Sequence, residues 1–234
     1  TGQVTGKIVN VPPGRAEEVQ PWLRRVAAAK RDMSLFAGDR AVEEFKIPKT
    51  LGPGAFEVVG IPLKKPGLYI VEIESAILGR ALLDAPKPMY VPAAVLVTNL
   101  SVHFKQGRES SLVWVTTLDQ AEPVAGADVA VMDCAGKVLW KGRTDADGIA
   151  RIDVELAVAT DSPACAFELP EHDASQLGAL RRLGEGLFIT AQTGDDMSFV
   201  HSSWDEGIEA WRFKLPAEYG AGPVIAHTIF DRSL

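Results

Sequence analysis

The sequence has no long hydrophobic run and no excess of positive charge. No stretch of about 18 uncharged apolar residues occurs, which is the length that a membrane-spanning helix needs. Residues 90–100 form the longest mainly apolar stretch, but Pro92, Thr98 and Asn99 interrupt it, as is typical of a strand. With 24 Lys and Arg against 31 Asp and Glu, the formal net charge is −7. This balance predicts no nucleic-acid partner, and the chain is not expected to insert into a membrane.

The chain also lacks the motifs of common catalytic and metal sites. It contains no G-x-S-x-G, no G-x-x-x-x-G-K-[ST], no C-x-x-C and no H-E-x-x-H. His201, Ser202, Ser203 and Asp205 supply the side chains of a hydrolase triad. Neighbours on a strand point to opposite faces, however, so these groups are not expected to converge. We predict no catalytic residue, no cofactor and no enzymatic activity.

Residues 144–148, Thr-Asp-Ala-Asp-Gly, resemble the start of a calcium loop. A complete loop needs a third oxygen ligand and a final Glu at fixed spacing, and neither is present. Asp-Gly is by itself a strong signal for a hairpin turn. We interpret the segment as a turn. No metal site is expected, because the 2 cysteines and 4 histidines form no ligand cluster.

Two tryptophans, Trp204 and Trp211, lie in the acidic stretch SSWDEGIEAWRF. Aromatic clusters can bind sugars or peptides, but at this spacing they more often cap a small core. We interpret this pair as core residues, with room for one ring at an interface with a neighbouring domain.

What the sequence does contain is a series of strand patterns separated by turns. Apolar residues recur at near-alternate positions from residue 112 to 152, and Pro123, Gly126, Ala135-Gly136 and Asp147-Gly148 separate them. This pattern predicts a small antiparallel sandwich. Further strands are predicted at Val4–Val11, Ala41–Pro48, Phe56–Ile61, Gly67–Ile77, Met89–Thr98, Leu100–Phe104, Gly186–Thr193 and Met197–Ser203.

A helical pattern interrupts the strands near residues 15–31. Val19, Trp22, Leu23, Val26 and Ala27 lie at helical spacing, with Arg and Lys between them. The apolar stripe is expected to cover an edge or open face of a sheet. A proline at position 21 either starts this helix or kinks a longer one.

The strand that begins at Gly67 is preceded by P-x-x-Y, with Pro66 and Tyr69. In immunoglobulin-type sandwiches, a tyrosine at such a corner hydrogen-bonds through its hydroxyl to nearby backbone. An ordinary half-buried strand tyrosine fits the pattern equally well.

These elements predict an all-β chain of two consecutive antiparallel β-sandwich domains, with a short helix inserted in the first. The domains are expected to span 1–98, with the helix near 15–31, and 99–220, with a long loop at 157–185. Residues 221–234 are expected to start a following domain or to form a C-terminal strand. Because the first residue is Thr1 rather than Met, we expect the chain to be part of a longer polypeptide.

Several segments resemble the macroglobulin (MG) domains of bacterial alpha-2-macroglobulins, which are fibronectin-like sandwiches. The clearest are residues 96–150, with VWVT, LD, PV-GA-V and a TD-DG-A hairpin, and GDDMSFVHSSWDEGIEAWRF at 194–213. LKKPGLYIVEIES fits the preceding domain, and AHTIFDRSL resembles the first strand of the next.

The resemblance implies structural scaffold domains from the N-terminal part of a protease inhibitor of the periplasm or cell envelope. In this family a protease cuts a bait region and is then trapped, and some members add a Cys–Gln thioester. No C-x-E-Q motif and no bait segment are identified here, so no functional residue is transferred. The implied partners are neighbouring domains of the same polypeptide and, through the full-length protein, target proteases. Membrane attachment would come from a lipidated N-terminus outside this stretch.

Cys134 and Cys165 are the chain's 2 cysteines. Two thiols could both stay reduced and buried, and one strand end and one loop could equally accept a bridge without distorting a sheet. The extracytoplasmic location that the family implies favours a Cys134–Cys165 disulfide.

An adhesin or invasin-like surface module is the alternative from a different functional class, because PVAGADVAV followed by GRTDADG also occurs in such repeats. Tandem similarity between the two halves would favour it, and none is seen beyond the general strand pattern.

Overall fold

The computed structural model describes residues 4–39, 42–47, 58, 60–107, 109–157, 163–166 and 178–204. Within these ranges it contains three antiparallel sheets, two α-helices and two 3-10 helices. By backbone proximity, the described residues, which end at Trp204, belong to one compact unit. We call residues 4–98 the N-terminal half and residues 99–204 the C-terminal half.

The N-terminal half is built on a four-stranded antiparallel sheet. Its strands are β1 (Thr5–Val11), β2 (Glu43–Lys46), β3 (Gly67–Ser75) and β4 (Met89–Val97). The order is β2-β1-β3-β4. Three predicted strands, at 4–11, 41–48 and 89–98, are confirmed to within two residues at each end. The strand predicted over 56–61 lies largely outside the described residues.

The predicted helix is present between β1 and β2. A short 3-10 helix at Ala16–Glu18 leads into α1 (Val19–Ala27). Pro21 is the third residue of α1, so it does not start the helix, and in this first turn its missing N–H costs no intrahelical hydrogen bond. The predicted apolar stripe is confirmed: Val19, Leu23, Val26 and Ala27 are buried, and Trp22 is half-buried.

One predicted strand is too long. β3 ends at Ser75, and the next residues form α2 (Ala76–Leu82), which the sequence pattern of alternating apolar residues did not indicate. The Ser75 hydroxyl caps this helix by accepting a hydrogen bond from the N–H of Leu78 at 3.2 Å. Gly79 lets α2 approach the chain before β4, because a Cβ there would overlap the carbonyl oxygen of Lys87.

The tyrosine corner is confirmed. The Tyr69 hydroxyl donates to the carbonyl oxygen of Lys65 at 2.9 Å and accepts from the N–H of Lys65 at 3.2 Å. Both bonds tie the entry of β3 to the segment before it.

We expect Tyr69→Phe to lower the free energy of unfolding by about 1 kcal/mol, the usual net value of a hydrogen bond of this kind. Chemical denaturation measures the change. Tyr90→Phe on β4 is the matched control, since no hydrogen bond of its hydroxyl is seen in the described part of the chain; it should change stability by less than about 0.5 kcal/mol. Equal losses in both variants would contradict the role assigned to the corner.

A buried carboxylate fixes the loop after α1. Glu72 on β3 is 1% exposed and accepts hydrogen bonds from the Ser34 hydroxyl, at 2.6 Å, and from the N–H of Leu35. The Ser34 hydroxyl in turn accepts from the N–H of Phe36 at 3.2 Å. The Phe36 ring is thereby held with its centre 5.8 Å from that of Trp22 on α1.

The C-terminal half is a sandwich of two antiparallel sheets, as the sequence predicts. The strands are β5 (Leu100–Lys105), β6 (Ser111–Thr117), β7 (Asp128–Asp133), β8 (Val138–Arg143), β9 (Ile149–Ile152), β10 (Leu187–Thr193) and β11 (Asp196–His201). One sheet has the order β5-β6-β9 and the other β11-β10-β7-β8. Their facing side chains form one core, which includes Val102, Val113, Val115, Ala150, Ile152, Val129, Val131, Leu187, Ile189 and Ala191.

The segment 144–148 is a turn, but the hairpin predicted there is wrong. β8 pairs with β7, whereas β9 pairs with β6, so the turn carries the chain from one sheet to the other. Asp145 Oδ1 accepts hydrogen bonds from the N–H groups of Asp147, at 3.0 Å, and Ile149, at 2.9 Å. Gly148 has φ +74°, and a Cβ there would lie 2.5 Å from the carbonyl oxygen of Val115. The carboxylate and the glycine therefore serve the turn itself.

A second core joins the two halves. It contains buried side chains from β1, α1, the loop after α1 and β3, together with side chains from the C-terminal half. We call this cluster the shared core: Val11, Val19, Leu23, Val26, Phe36, Leu68 and Ile70 from the N-terminal half, and Met132, Leu183, Phe188 and Met197 from the C-terminal half. The apolar stripe of α1 therefore packs in a core to which both halves contribute.

Strand β10 lies between the two cores. Phe188 belongs to the shared core, and its neighbour Ile189 belongs to the sandwich core. Both are 0% exposed. Strand β10 is thus covered on both faces, which explains why Leu187–Ile189 are consecutive apolar residues rather than an alternating pattern.

Candidate functional site

The structural feature that most directly concerns function is the contact between α1 and a turn of the C-terminal half. Gln20 and Arg24 of α1 form hydrogen bonds with the β7–β8 turn (residues 133–137) and with residues 163–166. We refer to this set of hydrogen bonds as the joint. These residues are more than 100 positions apart in sequence.

Arg24 donates to four main-chain carbonyl oxygens. One terminal nitrogen, Nη1, lies 2.8 Å from the oxygen of Cys134 and 3.0 Å from that of Ala164. The other, Nη2, lies 3.1 Å from the oxygen of Cys165 and 3.2 Å from that of Ala166. A guanidinium has five N–H donors and no acceptor, so a group of converging carbonyls matches it, and these bonds carry the added strength of a charged donor.

Gln20 supports the same turn from a buried position. Its Nε2 donates to the carbonyl oxygens of Asp133, at 3.1 Å, and Cys134, at 3.2 Å, and the residue is 2% exposed. The turn also has internal bonds, since Asp133 Oδ1 accepts from the N–H groups of Ala135 and Lys137 at 2.9 Å each. The helix therefore binds a turn that its own hydrogen bonds already shape.

Cys134 and Cys165 are joined by a disulfide in the structure. Their Cα atoms are 5.1 Å apart, and the residues are separated by 31 positions. Both are buried, with exposures of 1% and 3%. The disulfide brings residues 163–166 beside the β7–β8 turn, and this places the carbonyls of both segments around Arg24.

The predicted domain boundary at Asn99 is held by the C-terminal half. Its N–H donates to Asp196 Oδ2 on β11 at 2.8 Å, and its carbonyl oxygen accepts from the N–H of Leu118 at 2.7 Å. Its side chain makes two hydrogen bonds with Asp119. Asn99 Nδ2 donates to Asp119 Oδ1 at 3.0 Å, and Asn99 Oδ1 accepts from the N–H of Asp119 at 3.2 Å. The hydrogen bond from Asn99 is the main reason that the pKa of the exposed Asp119 carboxyl is lowered. The chain therefore has a fixed direction where it leaves β4.

The triad-like residues lie at the end of β11 and have structural contacts. His201 is 1% exposed; its Nε2 lies 2.7 Å from the carbonyl oxygen of Glu185, and its Nδ1 lies 2.7 Å from Ser203 Oγ. Because a carbonyl only accepts, Nε2 carries the proton in this arrangement. Ser202 Oγ accepts from the N–H of Leu187 at 2.9 Å. Asp205 lies outside the described residues. These bonds connect the start of β10 to the end of β11.

Burial lowers the pKa of His201 and outweighs the opposing effects of the hydrogen bond to the Glu185 carbonyl and of the Glu185 charge; the nearby Arg182 adds a smaller lowering. A histidine with a folded-state pKa below its unfolded value binds fewer protons when folded. Its contribution to stability is therefore present above about pH 6.5 and is lost as the pH falls through the folded-state pKa.

We predict that lowering the pH from 7.5 to 5 destabilises the wild-type chain more than a His201→Gln variant, which keeps a neutral donor and acceptor. Chemical denaturation at each pH measures the difference. The ring signals of His201 in NMR spectra should titrate below pH 6.5. A midpoint above 6.5 would contradict the prediction.

Trp204 occupies the core position predicted for it. It is half-buried beside the shared core, with its ring centre 6.0 Å from that of Phe199 and 5.9 Å from that of His201. Trp211, its predicted companion, lies outside the described residues.

Among the described residues, no three His, Cys, Asp or Glu side chains lie close enough to hold a metal ion. The helices described here include none long and apolar enough to cross a membrane.

Sequence analysis did not anticipate the joint. One usable signal was Gln20, a polar residue within the buried stripe of α1, because a buried amide needs hydrogen-bond partners. Nothing in the sequence around Arg24 distinguishes it from Arg25, the other basic residue of the same helix, because the partners of Arg24 are main-chain carbonyls, which leave no pattern in the side chains.

Comparisons with known proteins agree with this architecture. The family model "Bacterial alpha-2-macroglobulin MG3 domain" matches residues 97–219. A crystal structure of native alpha-2-macroglobulin from Escherichia coli spanning domains NIE-MG1 aligns with a TM-score of 0.53 and 11% identity, covering 86% of this chain and 84% of that one. A second, spanning domains MG0-NIE-MG1, aligns with a TM-score of 0.49 and 13% identity, covering 86% of this chain and 55% of that one. No curated protein matches the chain.

The likeness to the NIE-MG1 structure shows a shared fold and nothing more, because the sequence identity is low. The family model covers slightly more than half of the 234 residues. Three antiparallel sheets, the sandwich of the C-terminal half and the MG3 match at residues 97–219 together show that this chain belongs to the bacterial alpha-2-macroglobulin family.

Proposed function

We propose that this chain is a pair of scaffold domains in an alpha-2-macroglobulin-like protease trap and takes no chemical step itself. The MG3 match at residues 97–219 is the observation that carries the proposal. In such a protein, scaffold domains hold the parts that meet the protease, and they transmit its arrival as movements of whole domains.

The contacts between the halves support a role as one stiff arm. Separate domains of a chain usually move relative to each other unless their interface is large and apolar. Here the shared core and the joint connect the two halves. The division into domains 1–98 and 99–220 is part of this proposal, as is the start of a further domain within 221–234.

If the halves form one arm, they tumble together. ¹⁵N relaxation of the chain should give the same rotational correlation time for amides of β3 and of β6. Two clearly different correlation times, or small-angle scattering that requires independent bodies, would overturn the single-arm proposal.

We place the protein in the periplasm or cell envelope. The Cys134–Cys165 disulfide supports this, because such bonds persist in oxidising compartments and are rare in the cytosol. The proposed partners are neighbouring domains of the same polypeptide and, through the whole protein, target proteases. Membrane attachment through a lipidated N-terminus is part of the same proposal, as the family resemblance implies.

The trap is tested on the full-length polypeptide with a broad-specificity endoprotease. Trapping should reduce cleavage of a large protein substrate while a small peptide substrate is still hydrolysed. Heat-denatured polypeptide at the same concentration controls for simple competition as a substrate. Equal rates on both substrates, with and without the native polypeptide, would contradict the function.

The adhesin alternative gains no support from the fold. It predicts similar tandem halves, whereas the described part of the N-terminal half has one sheet with two helices and the C-terminal half has a two-sheet sandwich.

A further inference from the structure

The joint brings a disulfide and a helix of the other half into one hydrogen-bonded unit. Three of the four carbonyls around Arg24 belong to residues 164–166, and the fourth belongs to Cys134. Within the described chain, the disulfide is the covalent link that holds these two segments side by side. The positions of Arg24's acceptors therefore depend on the oxidation state of the two cysteines.

We propose that the Cys134–Cys165 disulfide is a redox-controlled lock on α1. In the oxidised state it holds residues 163–166 where Arg24 can bind them, and α1 is held against the C-terminal half. Reduction frees this segment from the β7–β8 turn, Arg24 loses the fixed arrangement of its acceptors, and α1 loosens. This goes beyond the scaffold proposal and does not depend on protease trapping.

The step is a thiol–disulfide exchange with a dithiol, either a small molecule or a dithiol oxidoreductase. A thiolate of the dithiol attacks one cysteine sulfur, which breaks the protein disulfide and forms a mixed disulfide. The second thiol of the dithiol then attacks the mixed disulfide. Two electrons and two protons pass to Cys134 and Cys165, which become thiols, and the dithiol becomes a cyclic disulfide.

Reduction of the disulfide and loosening of α1 are coupled in both directions. With exposures of 1% and 3%, the cysteines cannot meet a reductant until the joint opens locally. If reduction loosens α1, then loosening α1 must favour reduction to the same extent, because a coupling free energy acts in both directions. Arg24 is a positioning residue in this scheme, since it acts through the carbonyls and not on the sulfurs.

The first test measures how fast dithiothreitol reduces the disulfide in the intact chain, with free thiols alkylated and counted by mass spectrometry. Arg24→Met keeps the length of the side chain and removes its donors, so reduction should be roughly 10- to 100-fold faster, as expected for the loss of charged hydrogen bonds. Arg25→Met is the matched control on the same helix, because Arg25 bonds to Leu35 and Asp39 within the N-terminal half. It should change the rate by less than about threefold, which corresponds to the small effect typical of surface substitutions.

The second test needs no variant and therefore holds even if Arg24→Met fails to fold. Hydrogen exchange of the wild-type chain is compared before and after reduction. Amides of Leu23–Ala27 should exchange at least tenfold faster after reduction, with a lower opening free energy than amides of β6, which report the loss of global stability. A Cys134→Ala/Cys165→Ala double variant should show the fast α1 exchange with or without reductant.

Three outcomes would overturn the lock. Equal reduction rates in the wild-type, Arg24→Met and Arg25→Met chains would show that the joint does not control access to the disulfide. Unchanged α1 exchange after reduction would show that the bridge only closes its own loop. Exchange of α1 and β6 amides with one common opening free energy after reduction would show that reduction lowers global stability without acting on α1 in particular.

Discussion

Phe188→Ala is expected to lower the free energy of unfolding by about 3–5 kcal/mol, the usual cost of removing a large aromatic side chain from a core. Phe188 is 0% exposed, and it stacks on Phe199 with ring centres 5.3 Å apart. Because it lies in the shared core, the cavity should weaken both halves. Urea denaturation measures the total loss, and hydrogen exchange of β3 and β6 amides shows where it is felt.

Ile189→Ala is the matched comparison on the next residue of β10. Its cost should also be about 2–5 kcal/mol, but the cavity opens in the sandwich core. The ratio of protection lost in β3 to protection lost in β6 should therefore be larger for Phe188→Ala than for Ile189→Ala. If Phe188→Ala leaves the exchange of β3 and α1 unchanged, the shared core does not couple the halves.

Removing the disulfide is expected to have an effect of similar size. In the chain-entropy model, a bridge that closes a loop of this length stabilises the folded state by roughly 3–4 kcal/mol. Replacing both Cys134 and Cys165 by alanine should lower the free energy of unfolding by that amount, through the greater freedom of the unfolded chain. Denaturation in the absence of reductant measures it.

Reductant provides the control for this prediction. The wild-type chain, once fully reduced, should approach the stability of the double alanine variant, while the variant itself should not respond to reductant. A double variant as stable as the oxidised wild type would show that the bridge does not constrain the unfolded state as the chain-entropy model requires.

Much of the fold was predictable because local patterns and burial agree. The alternation of apolar residues located the strands of the sandwich, the 3.6-residue spacing located α1, and P-x-x-Y located the tyrosine corner at Tyr69. In each case, the side chains that form the pattern are the ones that make the contacts.

The errors occurred where tertiary pairing overrode a local signal. Asp147-Gly148 has the composition of a hairpin turn, yet β8 and β9 belong to different sheets, and no local feature encodes that choice of partner. Ile77 continued the alternation of the strand predicted over Gly67–Ile77, and the cap provided by Ser75 was the missed sign of α2.

The candidate site was predictable only in part. Each cysteine was identified as a potential bridge partner, and the family resemblance favoured their pairing, but spacing does not specify connectivity. The joint was not predicted, since its acceptors are backbone carbonyls brought together by folding. The residues of β10 did hold a clue, because an uninterrupted Leu187-Phe188-Ile189 indicates a strand covered on both faces.

The double coverage of β10 also limits how this protein can be recombined. A chimaera that exchanges residues 99–204 for the equivalent portion of a relative would place foreign side chains at positions 132, 188 and 197 against an unchanged α1. The unit that can be transplanted intact is therefore larger than one sandwich and includes α1. Substitutions on α1 and on the sheet surface beneath it are constrained by each other's shape.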